Sequence, residues 1–295
     1  MDTRFVPFKP TVAPEAASLK PCRSARPKHP VFAAAVLGII VLGCIFCDFF
    51  SSPTPNYMDL SNPSVSPCAQ FFFGTDTMGR DIFSMIWHGG RISLCIGVLS
   101  AFLAACIAVI VGAASACAPA KLDALLMRAV DILLSVPGLL IVLFLQAMLG
   151  SASVWSLSLV LGLTSWMSMA KVVRTEVKKL RESDYILAAR CLGGGFFYIL
   201  RRHLLPNCLP SILFMAVMNV RSAILTESTL SFMGMGLPLE IISWGSMLSL
   251  AEKALLTNAW WIIVIPGVFL IATLLCITSL GSALQTGTNR RHSNL

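Results

Sequence analysis

The sequence predicts an all-α polytopic membrane protein with six transmembrane helices and both termini in the cytoplasm. Three observations predict it. Apolar residues make up 56% of the 295-residue chain, and mean hydropathy is +0.80. Charged residues make up only 12%, against roughly 25% in soluble domains. The apolar residues also gather in runs close to the roughly 20 residues that a bilayer-spanning helix needs.

The elements follow in order. Residues 1–30 form a proline-bearing tail with six basic residues: Arg4, Lys9, Lys20, Arg23, Arg26 and Lys28. The run 31–50 is too long for a signal-peptide core, and no small-residue cleavage site follows it. It reads as an uncleaved first span. Residues 51–90, rich in Pro, Ser and Asn, form an extracytoplasmic segment ending in FGTDTMGRDIF. Residues 91–281 then hold five further spans, at 92–116, 124–149, 154–170, 209–232 and 259–280. A cytoplasmic insert, 171–208, separates the fourth and fifth spans. The outside loop between the last two contains SFMGMGLPLEIISWGSML, whose Gly and Pro predict ordered turns. Residues 282–295 form a cytoplasmic tail.

Charge placement sets the orientation. Of the 22 Lys and Arg, 18 lie on the side assigned to the cytoplasm, counting Arg128 just inside the third span; only Arg80, Arg91, Arg221 and Lys253 remain. That asymmetry satisfies the positive-inside rule. It also accounts for the net charge of +8 without nucleic acid, since no basic patch with interleaved stacking aromatics occurs. The ten cysteines show no CxxC pair and lie mostly in apolar runs, so they read as small buried hydrophobes, and no metal site is assigned. There is no GxxxxGK[ST], HExxH or GxSxG, and His29, His88, His203 and His292 are scattered. The chain therefore has no P-loop for ATP and no constellation for hydrolytic catalysis.

The insert is the most patterned soluble stretch. Within DYILAARCLGGGFFYILRRHLLPN the apolar residues predict a helix, a break at Gly193-Gly194-Gly195, and a second helix ended by Pro206. Ala188, Ala189 and Gly193 are small and permit close approach of another surface. Two readings are open from the residues alone: an amphipathic helix lying on lipid, or a helix that docks in a groove of a soluble partner. Within the fifth span Arg221 is a costly charge, expected either to pair with a carboxylate of another subunit or to line a pore. Glu227 lies six residues on, not on the same helical face.

The insert resembles the cytoplasmic motif of ABC-importer permeases. Leu187-Ala188-Ala189, then Gly193, then Leu204-Leu205-Pro206 match its Glu-Ala-Ala, Gly and hydrophobic-Leu-Pro positions, with Leu187 in place of the usual Glu. Further stretches resemble the dipeptide, oligopeptide and nickel branch, in the second of its two permease subunits. They are GTDTMGRD (Gly74, Thr75, Asp76, Gly79, Arg80 and Asp81 at the patterned positions), RISLCIGVLSA, DALLMRAVDILLSVPGLL, AILTESTLSFMGMGLP with Gly234 and Gly236, and WGSML. The end departs from the branch: Ser282 follows Gly281 where the branch has Asp.

The resemblance implies the type I ABC-importer permease fold in a bacterial inner membrane. It implies a homologous second permease completing the pore, two P-loop ATPases carrying ATP and Mg²⁺ below, and a periplasmic or lipid-anchored substrate-binding protein above. The chain would bind no cofactor and catalyse nothing itself; the insert would couple it to the ATPases. Peptides are the expected cargo and nickel or a metal chelate the alternative. A secondary transporter or channel would call for inverted repeats or helices broken at midplane, which the sequence does not display. Glu227 matches a branch position at the outer end of its span; with Arg221 it is a candidate pore or substrate residue, its other reading being to cap the adjoining loop.

Overall fold

The computed structural model describes residues 30–51, 55–150, 152–238, 240–250, 254 and 259–292. The basic tail up to residue 29, Lys253 and residues 293–295 lie outside the described residues, so the expectations for those segments rest on the sequence. Among the described residues the regular structure is helical, apart from one antiparallel bridge between Thr75 and Asp81.

Helix α1 (Pro30–Ile45) is followed by the short α2 (Cys47–Phe50). Helix α3 (Ile82–Cys117) begins well before residue 92 because Asp81 caps it. The Asp81 carboxylate accepts from the backbone N–H of Phe83 at 3.3 Å and of Ser84 at 3.0 Å. Those are two of the donors that a helix start leaves without partners.

The expected third span is corrected. It is not one helix over 124–149 but two, α4 (Ala120–Ser135) and α5 (Gly138–Leu149), bent by 87°. The cause is local. Pro137 supplies no N–H, and its ring pushes the preceding Val136 into extended backbone at φ −84°, ψ 132°.

Helix α6 (Val154–Arg181) opens with a capping box between Ser153 and Ser156 and runs past the expected span end at residue 170. Helix α7 (Asp184–Cys191) leads to α8 (Phe196–Ile199), a π-helical turn Leu200–Leu204, and α9 (Leu205–Phe232). Helix α10 (Trp244–Ser249) lies in the loop before α11 (Trp261–His292), which continues beyond the expected end at residue 280. Among the described residues four helices are long and apolar enough to cross a membrane, five if the bent pair is one span; Val31–Ile45 is a shorter apolar helix.

Helix α3 is the hub. Its buried positions include Gly97, Ser100, Ala101, Ala104, Ala108, Gly112 and Ala116, spaced so that small residues form one stripe. A Cβ on Gly112 would stand 2.6 Å from the Ala170 carbonyl oxygen, and one on Gly97 would stand 2.8 Å from Ile224. Helices α6 and α9 therefore approach α3 almost at backbone distance, as packing in lipid favours. Arg181 at the end of α6 reaches the Ala116 carbonyl at the end of α3, so those two helices run in parallel. Helix α9 runs the other way. Its start packs with Val177, Leu180 and Ile186, while Glu227 near its end bonds Ser93 in the first third of α3.

The two ends of this bundle differ in chemistry. Trp155, Trp260, Trp261 and a cluster of Phe50, Phe83, Trp87 and Phe269 rings mark one end. Arg174, Lys178, Arg181, Arg201 and Arg202 mark the other. Interfacial aromatics and cytoplasmic basic residues have this arrangement in membrane proteins.

Gly79 tests the turn that leads into α3. Its φ is +75°, and a Cβ there would fall 1.9 Å from the Asp59 carbonyl oxygen. Gly38 in α1 has nothing within 4 Å of that position. Gly79→Ala is expected to cost more than about 2 kcal/mol, while Gly38→Ala is neutral or stabilising by up to about 1 kcal/mol. Thermal unfolding of the two variants in detergent checks the contrast.

Candidate functional site

Four groups of polar or patterned residues stand out, two at the aromatic end, one at the basic end and one between. At the aromatic end the GTDTMGRD loop is a buried knot. Asp76 and Arg80 are 1% and 5% exposed and form an ion pair at 2.7 Å. The Asp76 carboxylate also accepts from the backbone N–H of Met78 and of Arg80, each at 2.8 Å. Thr75 donates its hydroxyl to the Asn62 carbonyl at 2.7 Å and accepts from the Val65 N–H at 2.8 Å. Trp261 donates its indole N–H to the Thr75 carbonyl at 3.2 Å, tying the knot to the start of α11. Gly74 seats that loop against the Trp261 ring, and Asp81 caps α3. Thr75, Asp76 and Arg80 are buried and Asp81 is half-buried, so these residues hold the loop together.

Glu227 sits in the second knot. It is fully buried, and its carboxylate accepts from the hydroxyls of Ser243 at 2.7 Å, Ser231 at 2.9 Å and Ser93 at 3.1 Å. Ser93 in turn accepts from the Trp244 N–H at 3.2 Å. One carboxylate thus joins α9, α3 and the α10 loop. No Lys or Arg pairs with it among the described residues. Glu227, a pore or substrate candidate from the sequence, is thus enclosed by its own chain. Gly236 makes the same loop possible, since a Cβ there would lie 2.5 Å from the Ser231 backbone. Gly234 turns the chain at φ +75°.

At the basic end, Asp123 near the start of α4 accepts from Arg174 Nη2 at 2.6 Å, from Lys178, and from Ser115 at 2.6 Å. This clamp locks the turn between α3 and α4 onto the extension of α6. The insert packs on the same extension. Ile186, Ile199 and Leu204 are buried with Val173, Val177, Leu180 and Cys208. Gly193 closes α7 in the left-handed region at φ +85°, and the Gly194 N–H donates to the Ala189 carbonyl at 3.0 Å.

The remaining motif residues face outward: Leu187 is 47% exposed, Ala188 and Gly193 are exposed, and Ala189 is half-buried. Leu192 is 89% exposed. The expectation that Pro206 ends the second insert helix is corrected. The helix passes through the π turn, where the Leu205 N–H donates to the Leu200 carbonyl, and Pro206 falls in the first turn of α9. There its missing N–H removes no intrahelical bond that the wider turn needs.

Between the two ends a groove of about 290 Å³ is lined by Thr164, Ser165 and Ser168 of α6, Asn219, Ser222 and Thr226 of α9, and Gly138 of α5. The sequence reading missed it, although both polar triplets recur at helical spacing within apolar spans. Arg221 does not belong to that face. It lies four residues from Val217 and beside Val220, which line a separate apolar groove with α1, α3 and α11. Its Nε is buried without a hydrogen-bond partner, and no carboxylate pairs with it among the described residues.

Residues 104–293 match the model of a family described as binding-protein-dependent transport system inner membrane component. The dipeptide transport system permease protein of Bacillus subtilis (strain 168) is 33% identical over 256 residues, covering 85% of this chain and 80% of that protein. The oligopeptide transport system permease protein of the same organism is 37% identical over 246 residues, covering 83% and 78%.

Glu227→Ala is expected to lower stability by about 2–4 kcal/mol, because it strands hydroxyls of Ser93, Ser231 and Ser243 in an apolar core. Glu227→Gln keeps the shape and part of the bonding, and is expected to lose less than half of that. The comparison is read from unfolding midpoints of the two variants in detergent.

Proposed function

Since this chain belongs to the family of binding-protein-dependent transport system inner membrane components, we propose that it is a permease subunit of an ATP-driven importer of dipeptides or oligopeptides. It crosses the bacterial inner membrane six times, with α1, the bent α4–α5 pair, α3, α6, α9 and α11 as the crossings and both termini in the cytoplasm. Its relatives, dipeptide and oligopeptide transport permeases, put peptides ahead of nickel as cargo. ATP and Mg²⁺ are held by two partner ATPases, and a substrate-binding protein delivers cargo at the aromatic end.

The observation that carries the coupling is the two-sided insert. One side, Ile186, Ile199 and Leu204, is buried against α6; the other presents Leu187, Leu192 and Tyr198 outward. An ATPase cleft that takes the exposed side moves α6 through the buried side. Helix α6 is continuous for 28 residues from the insert to the aromatic end, so it carries that displacement as a rigid body. The clamp at Asp123 brings α4 along.

The groove of Thr164, Ser165, Ser168, Asn219, Ser222 and Thr226 forms this subunit's share of the pathway. The Thr164, Ser165 and Thr226 hydroxyls donate to carbonyls of their own helices and so offer acceptor oxygens to the groove, while the Asn219 amide can both donate and accept, which suits a peptide backbone of any sequence. A homologous permease closes the groove from the other side. Arg221, off that face and lacking a partner here, pairs with a carboxylate of the companion subunit rather than with cargo.

Leu192 gives the cleanest test. It is 89% exposed, so its replacement disturbs no packing in this chain, whereas any residue at Gly193 strains the backbone at φ +85°. Leu192→Glu is expected to weaken co-purification of the ATPase by about tenfold or more and to uncouple ATP hydrolysis from cargo. Wild-type association together with wild-type coupled hydrolysis would sink the docking role.

A further inference from the structure

Cys47 and Asp48 of α2 and His88 of α3 meet at the aromatic end, and one ligand atom from each lies within 4.8 Å of the others. We propose that these three side chains bind one divalent transition-metal ion of the zinc class, a site independent of the transport reading above.

Both ring nitrogens of His88 have polar neighbours. Ser51 donates its hydroxyl to the Cys47 carbonyl at 2.7 Å. Ser51 Oγ also lies 3.2 Å from His88 Nε2, and in the proposed site the tautomer with its proton on Nε2 donates that bond. Nδ1 then keeps its lone pair. That lone pair stands 3.5 Å from Cys47 Sγ and 3.9 Å from Asp48 Oδ1. A metal-binding histidine is commonly oriented in this way, by a hydrogen bond from its other nitrogen.

The spacing also fits. A tetrahedral zinc ion, with Zn–S about 2.3 Å and Zn–N or Zn–O about 2.0–2.2 Å, sets its ligand atoms roughly 3.3–3.6 Å apart. The three separations are 3.5 Å for sulfur to nitrogen, 3.8 Å for sulfur to oxygen and 3.9 Å for nitrogen to oxygen. Small side-chain rotations bring the set onto one ion.

Arg91 holds the other carboxylate oxygen, Oδ2, at 3.1 Å, which leaves Oδ1 for the metal. The guanidinium is half-exposed, so solvent screens its repulsion of a cation. Thiolate and carboxylate together offset the charge of a divalent ion. The mixed sulfur, nitrogen and oxygen set selects zinc-class ions over Mg²⁺ or Ca²⁺, which prefer oxygen ligands. Such an ion would staple the outer end of α1 and α2 to α3. The sequence reading assigned no metal because His88 lies 41 residues from Cys47.

The test uses the full chain purified in detergent on a tag without histidines, stripped with chelator and titrated with Co²⁺. Wild type and Cys68→Ser, which alters an exposed cysteine elsewhere, are expected to bind one equivalent and show thiolate-to-cobalt charge-transfer absorption that Zn²⁺ displaces. Cys47→Ser is expected to abolish that absorption. His88→Ala and Asp48→Asn are expected to weaken binding about tenfold or more, and Ser51→Ala about tenfold. Should Cys47→Ser fail to fold, the half-exposed Asp48 and the neighbouring His88 still decide the matter through their own variants. No charge-transfer band in wild type, or binding unchanged in His88→Ala and Asp48→Asn, overturns the proposal and leaves only a thiol-to-imidazole hydrogen bond.

Discussion

The close approach of α3 to α6 is the contact on which the rest of the bundle depends. Helices in lipid gain little from burying apolar surface against each other, so intimate backbone packing has to supply the attraction. Small buried residues of α3, among them Ala104, Ala108, Gly112 and Ala116, provide that intimacy, while Gly97 admits Ile224 of α9. A side chain at residue 112 would collide with the Ala170 carbonyl. With α3 and α6 held in parallel, the ends carrying Ala116 and Arg181 coincide, and the extension of α6 becomes the platform for the insert.

Polar groups then divide the labour between the two ends. At the aromatic end they are enclosed: Asp76 with Arg80, and Glu227 with its serines. Enclosed polar atoms in a low-dielectric setting are costly unless each finds a partner, so these knots specify one arrangement of the loops. At the basic end the polar clamp at Asp123 binds helices together while an apolar surface is left outside. One end is thus tied together by enclosed polar groups, and the other combines a polar clamp with an exposed apolar surface.

Much of the candidate site was legible in residue order. Gly193 marked the end of a short helix, and the small Ala188 and Ala189 marked a face open to another surface. The bend at Val136–Pro137 escaped because an apolar window averages over a single proline. The continuity of the helix through Pro206 escaped because proline usually stops a helix, and only a π turn relieves it. The groove of six hydroxyl and amide residues escaped because each half looks like ordinary polar punctuation within a span.

The sequence by itself determined the membrane class, the order of the apolar helices and the family. These depend on hydropathy, charge and spacing, which are local properties of the chain. Tertiary structure alone decided that Glu227 is enclosed rather than open, that Arg221 turns away from the polar groove, and that His88 meets Cys47. Those pairings join residues 41 to 134 positions apart. They are set by which helix faces touch once small residues let the backbones close, and no periodicity within one segment encodes that.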